Sequence, residues 1–196
     1  MQAEAGAPLT PDEDPPGEAA EPALSAVPER PRNTTLVVSV GAVWVLLDQL
    51  TKTWAESALA GRPPVPVFGE LLQLRLLYNP GASFSMGTGS TWVFTLLASI
   101  VVAVLIWQSR DVAHPGWRWA FGLLLGGAGG NLVDRVFRAP GPGRGHVVDF
   151  IELPNFPVFN VADIGISGAA VLIVLLAVRE VPLSRAPSPP VTGRPR

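Results

Sequence analysis

Three acidic residues lie in a stretch of the chain that is otherwise largely apolar. Asp134 ends one apolar run, Asp163 begins the next, and Asp149 lies in the short connection between them. Acids in membrane-spanning segments are costly, and they usually face a bundle interior or a polar cavity. Two neighbouring carboxylates that share one proton can hydrolyse a peptide bond, because one takes a proton from water while the other polarises the carbonyl group. The sequence therefore indicates a hydrolytic pair of carboxylates.

The composition excludes several other kinds of chemistry. The chain is 48% hydrophobic and only 15% charged, against about a quarter charged in soluble domains, which favours a membrane protein. It has no cysteine, so disulfides and thiolate catalysis are excluded. His114 and His146 are too few and too far apart in sequence for a histidine metal site. The net charge of −2 gives no basic footprint for nucleic acid, and we expect no such partner.

Four apolar runs are each about long enough to cross a bilayer, for which a helix needs roughly 20 residues. They cover residues 35–54, 91–107, 117–137 and 161–178. Tryptophans lie near the ends of these runs, as interfacial anchors do, namely Trp54, Trp92, Trp107, Trp117 and Trp119. We predict an all-α membrane domain of four transmembrane helices within residues 34–180. A soluble bundle is the alternative, but helices that are apolar on all sides suit lipid better.

The segments outside the apolar runs have a different composition. Residues 1–33 and 181–196 are rich in proline and poor in aromatic residues, so we predict that both are disordered tails. Between residues 72 and 79, apolar and polar side chains alternate, with one interruption at Leu77. This period of two predicts a strand, within a small β element outside the membrane.

Helices that alternate in direction bring four polar motifs to one face of the membrane. The first and third helices reach that face with DQLTK at 48–52 and NLVDR at 131–135. The second and fourth begin near it, after NPGASF at 79–84 and with NVAD at 160–163. A weak bias of Lys and Arg places both termini in the cytoplasm and this face outside.

Three of the acids also have purely structural interpretations. Asp48 could be an interfacial residue that pairs with Lys52, one helical turn later. Asp134 could be scaffolding, held ionised by Arg135 or by another arginine. Asp163 could serve only as an acid in the first turn of its helix, with an asparagine cap three residues before it.

Asp149 has apolar neighbours on both sides, so its carboxyl should have a raised pKa if it is buried. An ordinary loop acid is the alternative. The glycines in 126–130 allow helices, or a ligand, to approach the backbone closely. Amide groups in a dry setting need partners, which for Asn79, Asn131 and Asn160 could be each other, the acids or an extended peptide.

Taken together and in order, these motifs resemble those of the lipoprotein signal peptidase family, also called signal peptidase II. The matching segments are DQLTK at 48–52, NPGASF at 79–84, GGAGGNLVDR at 126–135, VVDF at 147–150 and FNVAD at 159–163. The resemblance covers residues 36–180. Ser83 departs from the family pattern, since a second alanine is common there.

The resemblance implies an aspartyl endopeptidase of the bacterial plasma membrane, with four transmembrane helices, a small extracytoplasmic β-cradle, and neither a metal nor an organic cofactor. Its substrates would be prolipoproteins whose lipobox cysteine carries diacylglycerol, and it would cut just before that cysteine, near the outer face. Membrane lipid would be a further partner, and we expect a monomer.

The resemblance also implies roles for individual residues. The catalytic dyad falls on Asp149 and Asp163, with the acid and the base left open. Substrate-contacting or site-shaping positions fall on Asn79, Asn131, Arg135 and Asn160, and we expect supporting roles for Asp48, Lys52, Gly81 and Asp134. Asp134 is the competing dyad candidate. It ranks lower because an adjacent arginine would favour its charged form.

Two other functions are consistent with acids in a membrane. A proton-coupled transporter is the main rival, but its sites usually lie near the midplane on broken helices, often within inverted repeats. In this chain the acids cluster at one face and no repeat is visible. A noncatalytic membrane scaffold is the other rival.

Overall fold

The computed structural model describes residues 34–81 and 91–184. Within these ranges the chain forms four helices, α1 (Thr34–Leu59), α2 (Thr91–Gln108), α3 (Pro115–Phe137) and α4 (Val161–Val178). The strands are β1 (Val65–Phe68), β2 (Leu72–Asn79) and β3 (Val147–Glu152). The predicted tail at 1–33, the segment 82–90 with Ser83, and residues 185–196 lie outside the described residues.

The predicted helices are present, and α3 packs against the other three. Within the described residues, three helices are long and apolar enough to cross a membrane, namely α1, α2 and α4. The prediction was of four such helices. Helix α3 carries a glycine run, an acid and arginines in place of large apolar side chains, and it contributes many of the buried residues. The surface of α3 therefore contacts the other helices more than it contacts the lipid or solvent around the bundle.

The glycines of α3 allow this close packing. A Cβ atom added at Gly126 would lie 2.5 Å from Trp44 Cβ of α1, and one added at Gly127 would lie 2.5 Å from the carbonyl oxygen of Ala162 at the start of α4. A Cβ at Gly130 would lie 2.5 Å from a carboxylate oxygen of Asp48. Real Cβ atoms do not approach other atoms so closely, so the glycine run brings α1 and α4 onto the backbone of α3.

The three strands form one antiparallel sheet in the order β1-β2-β3. Strand β2 covers the range that the alternation predicted. Strand β3 was not predicted. Asp149, which the sequence placed in the connection between two apolar runs, lies within β3, so the alternative of an ordinary loop acid does not hold. Residues Val147 to Phe150 are all buried, so this strand has no alternation of apolar and polar residues to reveal it.

The interruption of the pattern at Leu77 marks an irregularity in the sheet. Between Leu74 and Leu77 the pairing of β2 with β3 shifts, with one extra residue on β2. Such a bulge changes the direction of the side chains that follow it. Beyond it, Tyr78 is exposed and Asn79 is half-buried, so the bulge helps to turn Asn79 toward β3.

The opposite end of the bundle is closed by the residues that follow α4. The indole Nε1 of Trp117 donates to the carbonyl oxygen of Val181, and the backbone N–H of Ala113 donates to that of Leu183. Leu183 also packs against the buried cluster around Val112. The first residues of the predicted tail at 181–196 are thus part of the fold.

Candidate active site

The two acids of the predicted dyad, Asp149 on β3 and Asp163 in the first turn of α4, bind the same residue. The side-chain Nδ2 of Asn160 donates to Asp149 Oδ1 at 2.6 Å, and the backbone N–H of Asn160 donates to Asp163 Oδ2 at 3.2 Å. Asp149 is 2% exposed, whereas Asp163 is half-buried. The structure therefore brings these two acids into one site, with Asp163 on its more open side.

The capping arrangement predicted for Asp163 is present. Asn160 caps α4 by accepting from the backbone N–H of Asp163 at 3.0 Å, and the carboxylate of Asp163 returns a bond to the Asn160 backbone. Capping is not its only contact, however, because Asp163 Oδ1 accepts from Nδ2 of Asn131 at 2.9 Å. Helix α3 thus holds the side of the carboxylate that the cap leaves free.

Each of the four carboxylate oxygens in the pair accepts one N–H group. The fourth donor is Nδ2 of Asn79, which lies 3.0 Å from Asp149 Oδ2. Desolvation by burial raises the pKa of Asp149 to about 6, and the negative charge of Asp163 acts in the same direction. The hydrogen bonds from Asn79 and Asn160 and the charge of Lys52 oppose this rise in the pKa. A pair of this kind can hold one proton near neutral pH.

Asp134, the competing candidate, is fully buried and saturated by other partners. One oxygen accepts from Lys52 Nζ at 2.7 Å and from the Val148 backbone N–H at 3.2 Å. The other accepts from Arg138 Nε at 2.7 Å and Gln49 Nε2 at 3.1 Å. Through Val148, Asp134 anchors the strand residue directly before Asp149.

Asp48 and Lys52 form the predicted ion pair, with 2.8 Å between Asp48 Oδ2 and Lys52 Nζ. Both side chains are 0% exposed, so the pair lies inside the protein. Asp48 Oδ1 also accepts from the backbone N–H of Ala162 at 2.9 Å, which ties α1 to the start of α4. Lys52 in turn binds Asn131 Oδ1 at 3.0 Å.

Arg135 lies beside the pair and makes no hydrogen bond to Asp134. Its Nη2 donates to the carbonyl oxygen of Gly81 at 2.7 Å, and its guanidinium carbon lies 5.5 Å from the centre of the Phe94 ring. Its Nη1 is buried and has no hydrogen-bond partner within residues 34–81 and 91–184. Gly81 also donates its N–H to Asn79 Oδ1 at 3.0 Å, which leaves the Asn79 NH2 group for Asp149.

Sequence reasoning missed several residues that support this site. Arg138 pairs with both Asp134 and Glu56, at 2.7 Å and 2.6 Å. Its position four residues after Asp134, at the C-cap of the same helix, was the available signal. Gln49, which bonds Asp134, lies within the DQLTK motif but was given no role. No local pattern indicated Trp44, whose Nε1 donates to the carbonyl oxygen of Val161 at 3.0 Å.

Known proteins match this chain in sequence and in fold. The family model described as signal peptidase (SPase) II matches residues 40–179. A lipoprotein signal peptidase of Mycobacterium avium (strain 104) is 48% identical over 160 residues, which cover 81% of this chain and 88% of that protein. Another, of Leifsonia xyli subsp. xyli, is 44% identical over 167 residues, covering 83% of this chain and 77% of that protein.

Two solved structures also share the fold. Both are bacterial membrane enzymes determined by the in meso method, at 2.3 and 1.9 Å resolution. The first superposes with a TM-score of 0.67 at 24% identity and covers 79% of this chain and 94% of that one. The second superposes with a TM-score of 0.65 at 25% identity and covers 75% of this chain and 95% of that one.

Proposed function

The chain belongs to the signal peptidase II family and is an aspartic-type membrane peptidase that removes signal peptides from prolipoproteins, and we propose that Asp149 and Asp163 are its catalytic pair. The observation that carries the proposal is the bonding of both carboxylates to Asn160, one through its side chain and one through its backbone. The family membership does not support the two rival functions, a proton-coupled transporter and a noncatalytic membrane scaffold.

The different burial of the two acids suggests how they divide the reaction. Asp149 is the more buried acid and has a pKa of about 6, so it holds the shared proton and donates a hydrogen bond to the scissile carbonyl. Asp163 is half-buried and acts as the base that takes a proton from water. The water oxygen bonds to the carbonyl carbon as Asp163 takes its proton. The C–N bond then breaks, and the proton held by Asp163 passes to the leaving nitrogen.

Arg135 is the residue that we propose to contact the substrate directly. Its Nη1 is a buried donor without a partner in the described part of the chain, beside both acids. A buried donor left without an acceptor is costly, and a carbonyl oxygen of an extended peptide would satisfy it. Asn79, Asn131 and Asn160 use their NH2 groups on the acids, so they shape the site.

The arrangement of the helices supports four crossings of the bacterial plasma membrane. We propose α3 as the fourth span, because neighbouring helices pack against its polar and glycine-rich surface. Asp149 lies in β3 and Asp163 in the first turn of α4, so both acids lie at the end of the bundle that carries the sheet. We place this end at the outer face of the membrane, with both termini in the cytoplasm. A site at the membrane surface suits a lipid-bearing substrate, and we propose cleavage before a diacylglyceryl-modified cysteine by a monomer.

Asp149→Asn and Asp163→Asn test the catalytic pair. Each substitution preserves shape but removes a carboxylate, so each should lower kcat for a diacylglyceryl lipobox peptide by at least about 10³-fold. The matched control is Asp111→Asn, an exposed acid at the opposite end of the bundle, which should cleave normally. Each purified variant is checked for a cooperative thermal unfolding transition, which shows that it is folded. Near-normal turnover by a folded Asp149→Asn or Asp163→Asn protein would reject that residue.

A further inference from the structure

Lys52 is a buried charge whose hydrogen-bonding capacity is fully used. Its ammonium group is 0% exposed and lies 2.8 Å from Asp48, 2.7 Å from Asp134 and 3.0 Å from Asn131 Oδ1. An ammonium group has three hydrogens and no acceptor. The two carboxylates take two of the hydrogens, and the third goes to an amide that belongs to the active site.

This third contact determines the orientation of two asparagine side chains. Because Lys52 only donates, the atom of Asn131 that faces it must be the oxygen, and the NH2 group must face Asp163. The same oxygen accepts from Nδ2 of Asn160 at 3.2 Å. The NH2 group of Asn160 is therefore also fixed, and its second hydrogen points at Asp149.

We propose that Lys52 is a positioning residue for the reaction, which fixes the amide orientations of Asn131 and Asn160 so that both present N–H groups to the acid pair. The inference rests on the proposed catalytic pair of Asp149 and Asp163. Lys52 makes no hydrogen bond to either acid, so its effect on the reaction passes through the two amides and through its charge.

Loss of Lys52 should increase the affinity of the pair for its proton. Without the ammonium group, Asn131 can rotate and turn its oxygen toward Asp163, a contact that is favourable only when the acid is protonated. Where Lys52 alone is replaced, the loss of a nearby positive charge acts in the same direction. Where Asp48 is neutralised with it, the rotation of the amide carries the shift. The mono-protonated pair, which is the active form, would then persist to higher pH.

Several other charged groups face Lys52 and the acid pair. Lys52 faces Asp48 within α1 and Asp134 of α3, and Asp134 is also paired with Arg138. The acid pair faces Arg135 from α3, and each acid faces the other between β3 and α4. A substitution that removes Lys52 together with Asp48 keeps the net charge constant and leaves no unpaired acid in α1.

The test is the pH profile of kcat/KM for the double variant Lys52→Met/Asp48→Asn, with a diacylglyceryl lipobox peptide as substrate. We expect the alkaline limb to move upward by about one pH unit, with a lower kcat. Lys52→Arg keeps a donor-only cation and should restore the wild-type limb. Arg75→Gln is the control, because it removes a half-exposed cation that pairs with Glu152, and it should leave the profile unchanged.

The inference would be overturned by a folded double variant whose alkaline limb does not move. If the double variant does not fold, the pH profile is measured for Lys52→Gln instead. The amide of the new glutamine can both donate and accept, so it permits either orientation of the Asn131 side chain. An unmoved limb in that variant would equally overturn the inference. Failure of the underlying proposal has a different signature, because Asp149→Asn or Asp163→Asn would then cleave the peptide whatever Lys52 does.

Discussion

The difference in burial between Asp149 and Asp163 is the residue-scale feature with the most direct consequence for activity. With Asp149 as the protonated member, kcat/KM should fall as pH rises through about 6, the pKa to which burial raises this carboxyl. The apparent value belongs to the pair. The measurement is the pH dependence of peptide cleavage between pH 4 and 9. A kcat/KM that instead rises through pH 6 to a plateau would exchange the roles of the two acids.

The same shift also gives a stability dependence whose sign is opposite to that of most acids. A folded pKa above the ordinary value of 3.8 stabilises the fold below about pH 4, and that stability is lost as pH rises through about 6. The difference amounts to roughly 3 kcal/mol. Asp149→Asn should remove it, which denaturation midpoints of both proteins at pH 4 and pH 7 would show.

Local patterns predicted some of the site's contacts and not others. The cap of α4 and the pair of Asp48 with Lys52 join residues three and four apart, which share one face of a helix. Arg135 follows Asp134 directly and therefore points about 100° away from it around the helix. It binds Gly81 instead, while Arg138 takes the place at Asp134. Sequence adjacency suggested the wrong arginine because helical geometry separates neighbours.

At the scale of elements, long apolar runs predicted the helices well and short buried segments not at all. Strand β2 was visible through its alternation, and its one flaw, at Leu77, coincides with the shift in pairing. Strand β3 is buried on both faces and six residues long, so its composition does not distinguish it from an apolar loop. Periodicity for this reason did not reveal the element that carries Asp149.

The packing of α3 against α4 gives an element-scale prediction. Gly127→Ala should destabilise the fold by about 1–3 kcal/mol, because the new methyl group would collide with the Ala162 carbonyl oxygen and with Ile166. Gly168→Ala is the matched control, since within the described residues its methyl group would contact Leu123 alone, at an ordinary van der Waals distance of 4.0 Å. Alanine favours a helix over glycine by about 1 kcal/mol, so the control should keep or raise the melting temperature. A Gly127→Ala protein as stable as Gly168→Ala would contradict the close packing.

At the scale of the whole molecule, the convergence of the polar motifs at one face could be predicted from the sequence. That prediction needs only the number of transmembrane helices and the fact that successive helices run in opposite directions. The sequence did not show how the motifs share partners. Asp134 bonds α1, α3 and β3 at once, through Lys52, Arg138 and Val148. Contacts between residues far apart in the chain depend on helix rotation and strand register. The spacing of the motifs in the sequence determines neither helix rotation nor strand register.

The proposed orientation in the membrane can be tested on the intact protein, because the natural chain has no cysteine. Asn155→Cys places a single thiol in the exposed segment between β3 and α4, and Asp111→Cys places one in the exposed segment between α2 and α3. With four spans and both termini inside, a membrane-impermeant maleimide should label Asn155→Cys in intact cells. Asp111→Cys should react only after the membrane is permeabilised.

The two thiols control for each other, since both are exposed and neither belongs to the proposed site. Labelling in the reverse pattern would place the catalytic acids at the cytoplasmic face. Labelling of both thiols in intact cells would place both on the same side of the membrane. Since α3 is the helix that lies between the two positions in the chain, this would mean that α3 does not cross the membrane. In that case the lower hydropathy of α3 would mean that this helix lies at the membrane surface. Its glycines would then not mediate packing between transmembrane helices.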